Sequence, residues 1–247
     1  MTALSRIGVL GGTFDPIHLG HLAVAGQAAD ALGLHQVWLL PARTPPHRPV
    51  DPSASITHRF AMAALAAATD SRFSASDLEL GRPGASYTAD TLRALRTTGL
   101  EAWQIFFLTG ADAFAEIATW REYPAVLDLA HFVACSRAGV AASSLTARLP
   151  DLAPRMIPVP VPGSGDPELH RIGGGPGEKD PETRVFLLDC TTPDISSTTI
   201  RAHARAGRPL AGLVPPEVDD YIRRHRLYGA HPGAAHGGTP AAGNLHE

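Results

Sequence analysis

At 247 residues with 44% hydrophobic content, the chain is long enough to bury a full core as one large domain. A formal net charge of −3 with scattered Lys and Arg argues against a nucleic-acid binder that works by neutralising phosphates, while leaving room for a local basic pocket. No secretory signal pattern opens the chain and no segment is long and apolar enough to span a bilayer, so the sequence reads as a cytoplasmic protein with no membrane partner.

Short apolar runs alternate with Ala- and Leu-rich stretches of helical spacing, which predicts an α/β parallel sheet. Ile7-Gly8-Val9-Leu10 has the bounded, apolar character of a buried strand, and Leu22, Ala23, Ala25, Ala28 and Leu32 give a helix after it. Gln36 to Leu40 is the second predicted strand, closed by Pro41. The loop after it carries Pro45, Pro46, His47, Arg48, Pro49 and Pro52, whose density of proline forbids regular pairing. Thr57 to Ala68 reads as a helix capped by Thr57, Phe73 to Leu80 as extended, and Ser86 to Leu95 as a further helix. Ile105 to Leu108 is a central strand leading into Thr109-Gly110-Ala111-Asp112, where a helix should start and run towards Trp120. Phe132 to Cys135 is the next strand. From Pro158 to Pro181 the composition turns to Pro, Gly and charge, which predicts a flexible loop within a single domain of residues 1–228. Arg184 to Leu188 resumes the sheet, Ser197 to Ala206 is a short helix, and Pro216 to His225 is an amphipathic one with Val218, Tyr221 and Ile222 on its apolar face. Residues 229–247 are too poor in core-forming side chains to fold and are expected to be a disordered tail. Cys135 and Cys190 have no paired-ligand spacing, so neither a disulfide framework nor a zinc site is expected, and both read as buried thiols.

Two segments carry chemistry. Gly11-Gly12-Thr13-Phe14-Asp15-Pro16-Ile17-His18-Leu19-Gly20-His21 puts two imidazoles at a strand-to-helix turn, where glycines allow close backbone approach and a helix start offers N–H groups to an anion. Far along the chain, Ile195-Ser196-Ser197-Thr198-Thr199-Ile200-Arg201 forms a second phosphate cradle: Ser197 is suited to cap the helix, the hydroxyl side chains supply donors, and Arg201 lies one turn in. A triphosphate needs more neutralisation than two histidines supply, so two helix starts meeting at one site is a coherent expectation.

Together with Pro45-Pro46-His47, Ser86-Tyr87-Thr88-Ala89-Asp90-Thr91-Leu92, Gly110-Ala111-Asp112 and Trp120-Arg121, these motifs stand in the order of the bacterial nicotinate-nucleotide adenylyltransferases, which the chain resembles over roughly residues 5–228. The resemblance implies a Rossmann-like open parallel sheet with helices on both faces and a small C-terminal helical part. It also implies transfer of AMP from ATP to nicotinate mononucleotide, giving deamido-NAD and pyrophosphate. By this similarity His18, His21 and Arg201 are the catalytic residues. Gly11, Gly12, Thr13, Phe14, Asp112, Ser196, Ser197 and Thr198 complete the ATP site. Trp120 would stack on the pyridine ring, Tyr87 and Thr88 would sit near its carboxylate, and Asp112 would accept from a ribose hydroxyl. His47 and Arg48 would touch the phosphate, Arg48 standing where the family usually has lysine. Mg2+ would be held chiefly by ATP oxygens and water, with no protein metal site. A homo-oligomer is compatible with the sequence. Competing readings are a sister enzyme acting on nicotinamide mononucleotide or phosphopantetheine, and a non-catalytic ATP-sensing module.

Overall fold

The apolar runs become strands of one parallel sheet in a computed structural model that describes residues 5–45, 52–136, 140–159 and 182–230. In chain order the main elements are β1 Ile7–Gly12, α1 Leu19–Leu32, β2 Gln36–Pro41, α2 Ile56–Ala67, β3 Phe73–Ala75 and α3 Thr88–Arg96. There follow β4 Ile105–Gly110, α4 Ala111–Phe114, β5 His131–Cys135, α5 Leu145–Arg148, β6 Met156–Val159, β7 Val185–Leu188, α6 Ser197–Arg205 and α7 Pro216–Arg224. The seven strands are ordered β3-β2-β1-β4-β5-β7-β6, every described pair parallel.

Both faces of the sheet are covered, and the strands are apolar on both for that reason. Alternate residues of one strand go to opposite cores: Phe106 and Leu108 join Leu10, Phe186, Met62, Ile200 and Ile222 on one face, while Ile105 and Phe107 join Val9, Leu92, Phe114 and Phe132 on the other. Among the described residues no helix is long and apolar enough to cross a membrane.

Several element ends differ from the sequence expectation, each for a local reason. The cap of α2 is Ser55, whose hydroxyl accepts from the His58 N–H at 3.3 Å; Thr57 lies inside the helix, its hydroxyl 2.8 Å from that of Ser55. The extended run from Phe73 stops at Ala75, because a turn bonds the Leu80 N–H to the Asp77 carbonyl and Ser76 accepts from the Leu78 N–H. The helix after β4 lasts one turn. The Thr119 hydroxyl and N–H both donate to the Glu116 carbonyl, and 3-10 bonding carries the chain to Trp120. Pro158, placed in the loop by composition, belongs to β6, an edge strand opposite Leu187, where a residue without an N–H is tolerated. The remainder of the predicted loop, residues 160–181, lies outside the described residues, as do residues 231–247 of the tail; Ala230 is buried.

Candidate active site

Strand order reverses where β1 meets β4, since β2 and β3 lie to one side of β1 and β4, β5, β7 and β6 to the other. At such a switch point the loops leaving the carboxyl ends of neighbouring strands part and open a crevice. Gly11 and Gly12 end β1 and Thr109 and Gly110 end β4, so the crevice opens between the loops that leave these two strands.

A cavity of about 630 Å³ occupies one side of the crevice. Its wall brings together Gly11, Gly12, Thr13, Phe14, His18, His21, Asp112, Ser196 and Ser197, nine of the residues expected around ATP and drawn from opposite ends of the chain. His18 is the N-cap of α1, and its own N–H donates to Nδ1 of His21 at 3.3 Å. A neutral His21 ring that accepts at Nδ1 carries its proton on Nε2 and presents a donor there. The two imidazoles stack with centroids 3.7 Å apart and planes at 27°. Gly20 permits this: a Cβ there would stand 3.1 Å from Nδ1 of His18. Gly12 likewise has no room for one, since a Cβ would fall 2.6 Å from the Phe14 ring.

At the other cradle the cap of α6 is Ser196, accepting from the Thr199 N–H at 3.1 Å. Ser197, expected as the cap, is the first helical residue, and its hydroxyl donates to the Pro16 carbonyl at 3.0 Å, tying α6 to the β1–α1 loop. Thr198 and Arg201 are not on the cavity wall. Arg201 turns back instead, donating to the Asp15 carbonyl at 2.7 Å and to the Thr198 hydroxyl at 3.2 Å, with its guanidinium 3.8 Å from the Asp15 carboxylate.

A second cavity, of about 350 Å³, shares Gly11, Gly12, Thr13, Thr109 and Ala113 with the first. Tyr87, Thr88 and Trp120 line it as expected. The Trp120 ring is braced edge-on by Phe107 and Phe132 at 6.4 and 6.2 Å. Thr88 begins α3, whose N-cap Tyr87 provides no side-chain cap. Arg121 covers the Tyr87 ring at 4.9 Å and pairs with Asp90 at 3.2 Å. Asp112 lines only the larger cavity. His47 and Arg48 fall outside the described residues; Pro45, just before them, lines the smaller cavity.

Four residues that hold the site in shape had no role assigned from sequence. Asp15 is buried and accepts from the N–H groups of Ser53 and Ala54 at 2.8 and 3.0 Å and from the Tyr228 hydroxyl at 2.9 Å. Burial, and then the Asp15 charge, push the Tyr228 hydroxyl well above its ordinary pKa. Arg59 is buried and donates to the carbonyls of Thr13, Ala42, Arg43 and Ala54, in the loops after β1, after β2 and before α2; of these, Thr13 and Ala42 line the smaller cavity. Glu79 stands buried in the wall of the smaller cavity. One cue was available for Arg59, a lone charge on the stripe formed with Met62, Ala63 and Ala66. Cys135 is buried on the larger cavity's wall, but Cys190 is only half-buried, correcting the expectation for it. A hydrogen bond with the Cys190 thiol, together with burial, raises the Cys135 thiol above its usual range.

Comparison with known proteins agrees with this architecture. The cytidylyltransferase-like family model matches residues 9–203. A Geobacter sp. (strain M21) protein named "Probable nicotinate-nucleotide adenylyltransferase" is 39% identical over 225 residues, which is 90% of this chain and 98% of that one. A Symbiobacterium thermophilum protein of the same name is 40% identical, covering 91% and 96% of the two chains. In fold, the chain is similar to the Plasmodium falciparum nicotinic acid mononucleotide adenylyltransferase complexed with NaAD, with a TM-score of 0.65 at 18% identity over 92% of this chain and 98% of that one. Matched over most of its length by the family model and nearly end to end by these relatives, the chain belongs to the cytidylyltransferase-like family and, within it, to the nicotinate-nucleotide adenylyltransferases.

Proposed function

We propose that the chain transfers AMP from ATP to nicotinate mononucleotide, giving deamido-NAD and pyrophosphate in NAD biosynthesis. The observation that carries this is the pair of cavities meeting along Gly11–Thr13 and Thr109, one rich in anion-binding groups and the other carrying an indole and an uncapped helix start. ATP occupies the larger cavity, with its α-phosphate at the shared wall. The acceptor occupies the smaller one, with its phosphate directed at that wall.

The attacking oxygen belongs to a phosphate already ionised at neutral pH, so no general base is required. The work is alignment of two anions and stabilisation of charge at the phosphorus under attack. His18 and His21 donate to the ATP phosphates from the start of α1. The Ser197 hydroxyl, expected to donate to the triphosphate, spends its proton on the Pro16 carbonyl, so Ser197 serves through its N–H beside Ser196 at the start of α6, and the helix N–H groups add fixed positive dipole ends. Thr198 and Arg201 stand off the larger cavity's wall and would meet the triphosphate only where it extends beyond the wall, Arg201 at the β/γ end. Arg201 uses two of its five N–H donors on Asp15 and Thr198, which leaves others for phosphate. Trp120 stacks on the pyridine ring, and the N–H groups opening α3 beside Tyr87 and Thr88 take the carboxylate. Asp112 accepts from a ribose hydroxyl on the ATP side. His47 and Arg48 keep a minor phosphate role.

The acidic side chains on the larger wall are Asp112 and Asp194, and among the described residues no cluster of three His, Cys, Asp or Glu is placed to hold a metal. That donor set fits Mg2+ carried by ATP oxygens and water rather than caged by protein. When bound so, the ion would screen charge on the departing pyrophosphate. ATP as donor and reduced thiols suit a cytoplasmic setting. The test is pyrophosphate release on mixing components singly and together: it should require ATP, Mg2+ and nicotinate mononucleotide at once. Release with phosphopantetheine alone as productive acceptor, or tight ATP binding with no release for any acceptor, overturns the reading.

A further inference from the structure

We propose that Glu79 is a positioning residue for the acceptor, locking the two rims of the smaller cavity into one rigid frame; this rests on reading that cavity as the acceptor site. Glu79 is only 2% exposed although it forms part of the cavity wall. A buried carboxylate is costly unless its oxygens are satisfied, and here both are. Oε1 accepts from the Thr91 hydroxyl and from Arg82 at 3.2 Å, and Oε2 accepts from the Ser86 hydroxyl at 2.6 Å.

A carboxylate only accepts, so Ser86 must spend its proton on Glu79 and is left with lone pairs for other donors. Those are filled by the N–H groups of Arg43 and Thr44, at 3.0 and 3.4 Å. The Ser86 N–H then donates to the Thr44 carbonyl at 2.9 Å. Ser86 thus staples the segment after β2, which supplies Ala42 and Pro45 to one rim, to the segment before α3, which supplies Tyr87 and Thr88 to the other. Thr91, one turn into α3, anchors that helix to the same carboxylate. Glu79 therefore fixes where the start of α3 points without touching the acceptor's reacting atoms. Among the described residues the hydrogen bonds that Glu79, Ser86 and Thr91 make run between the segment after β2 and the start of α3, on the acceptor side of the shared wall, so the effect falls first on the acceptor.

Glu79→Gln keeps the size but replaces one accepting oxygen with a donor. In steady-state pyrophosphate release it should raise the KM for nicotinate mononucleotide about tenfold or more, with the KM for ATP changed less than about twofold and kcat affected less than the acceptor KM. Ser86→Ala should give the same selective rise, and the double variant should fall well short of the product of the two, since both act through one staple. A folded Glu79→Gln enzyme with unchanged acceptor KM, or with both KM values rising in step, overturns the proposal. If Glu79→Gln does not fold, Ser86→Ala decides by the same criterion. Wild-type enzyme in the same assay separates the two claims: no turnover of nicotinate mononucleotide defeats the functional reading itself, whereas wild-type turnover with no selective change in the variants defeats only the role of Glu79.

Discussion

His18 and His21, proposed as donors to the ATP phosphates, are held together at the start of α1 by a bond 3.3 Å long from the His18 N–H to the His21 ring and by rings 3.7 Å apart. Removing one preorganised donor from a developing charge typically costs about a hundredfold or more in turnover, so His18→Ala should lose that much kcat while its thermal unfolding stays cooperative. Near-normal turnover would refute the role. Gly20→Ala should also slow turnover, since its Cβ would press within 3.1 Å of the His18 ring; a full-speed variant would show that the ring has room to move. Trp120→Ala should raise the KM for the pyridine nucleotide more than that for ATP, and it should also lower the melting temperature, because Phe107 and Phe132 lose an edge contact. Equal KM effects would make Trp120 packing alone. At this scale the Gly11 to His21 segment was legible because its chemistry is local in sequence. Asp15, Arg59 and Glu79 were not, since the meaning of a carboxylate or guanidinium rests on partners that only the fold brings to it: Ser53 and Thr13 lie 38 and 46 residues from Asp15 and Arg59, and Ser86 reaches Glu79 across a turn seven residues long.

Strands and helices were legible from apolar spacing, and their ends were not. Ser196 and Ser197, like Ser55 and Thr57, are adjacent or near-adjacent hydroxyl residues, and which one caps depends on which adopts non-helical backbone angles. Ser196 does, with φ −126° and ψ 146°, which frees Ser197 to bond Pro16. Ser196→Ala should therefore cost about 1 kcal/mol of stability through loss of the cap. Ser197→Ala should spare the cap and loosen the tie between α6 and the β1–α1 loop, which ATP binding would report as a raised KM. Denaturant unfolding and ATP kinetics on the two variants check the division; equal stability losses would contradict it. The 3-10 turn that follows α4, where the Thr119 hydroxyl bonds the Glu116 carbonyl, and the proline in edge strand β6 escaped sequence reading because both follow rules set by their place in the fold.

For the molecule as a whole, an alternating rhythm of strand and helix was enough to predict a parallel α/β sheet, but strand order lies beyond it, and the order β3-β2-β1-β4-β5-β7-β6 puts the crevice between β1 and β4. Tyr228, after α7, is tied to Asp15 in the β1–α1 loop by a hydrogen bond of 2.9 Å. The folded-state pKa of Tyr228 is raised, so the folded protein holds this proton more tightly than the unfolded chain. Its contribution is full below the unfolded value of about 10 and is lost as pH climbs above it. Unfolding measured from pH 8 to 11 should show stability falling more steeply in wild type than in Tyr228→Phe; parallel curves would contradict the assignment. In the proposed reaction, two adjoining cavities bring ATP and a pyridine mononucleotide acid together, and the start of α3 gives the acid its advantage over the amide. The most direct test is kcat/KM for pyrophosphate release with nicotinate mononucleotide and nicotinamide mononucleotide side by side at saturating ATP and Mg2+. The account predicts a clear preference for the acid, expressed mainly in KM; equal use of the two, or preference for the amide, would contradict it.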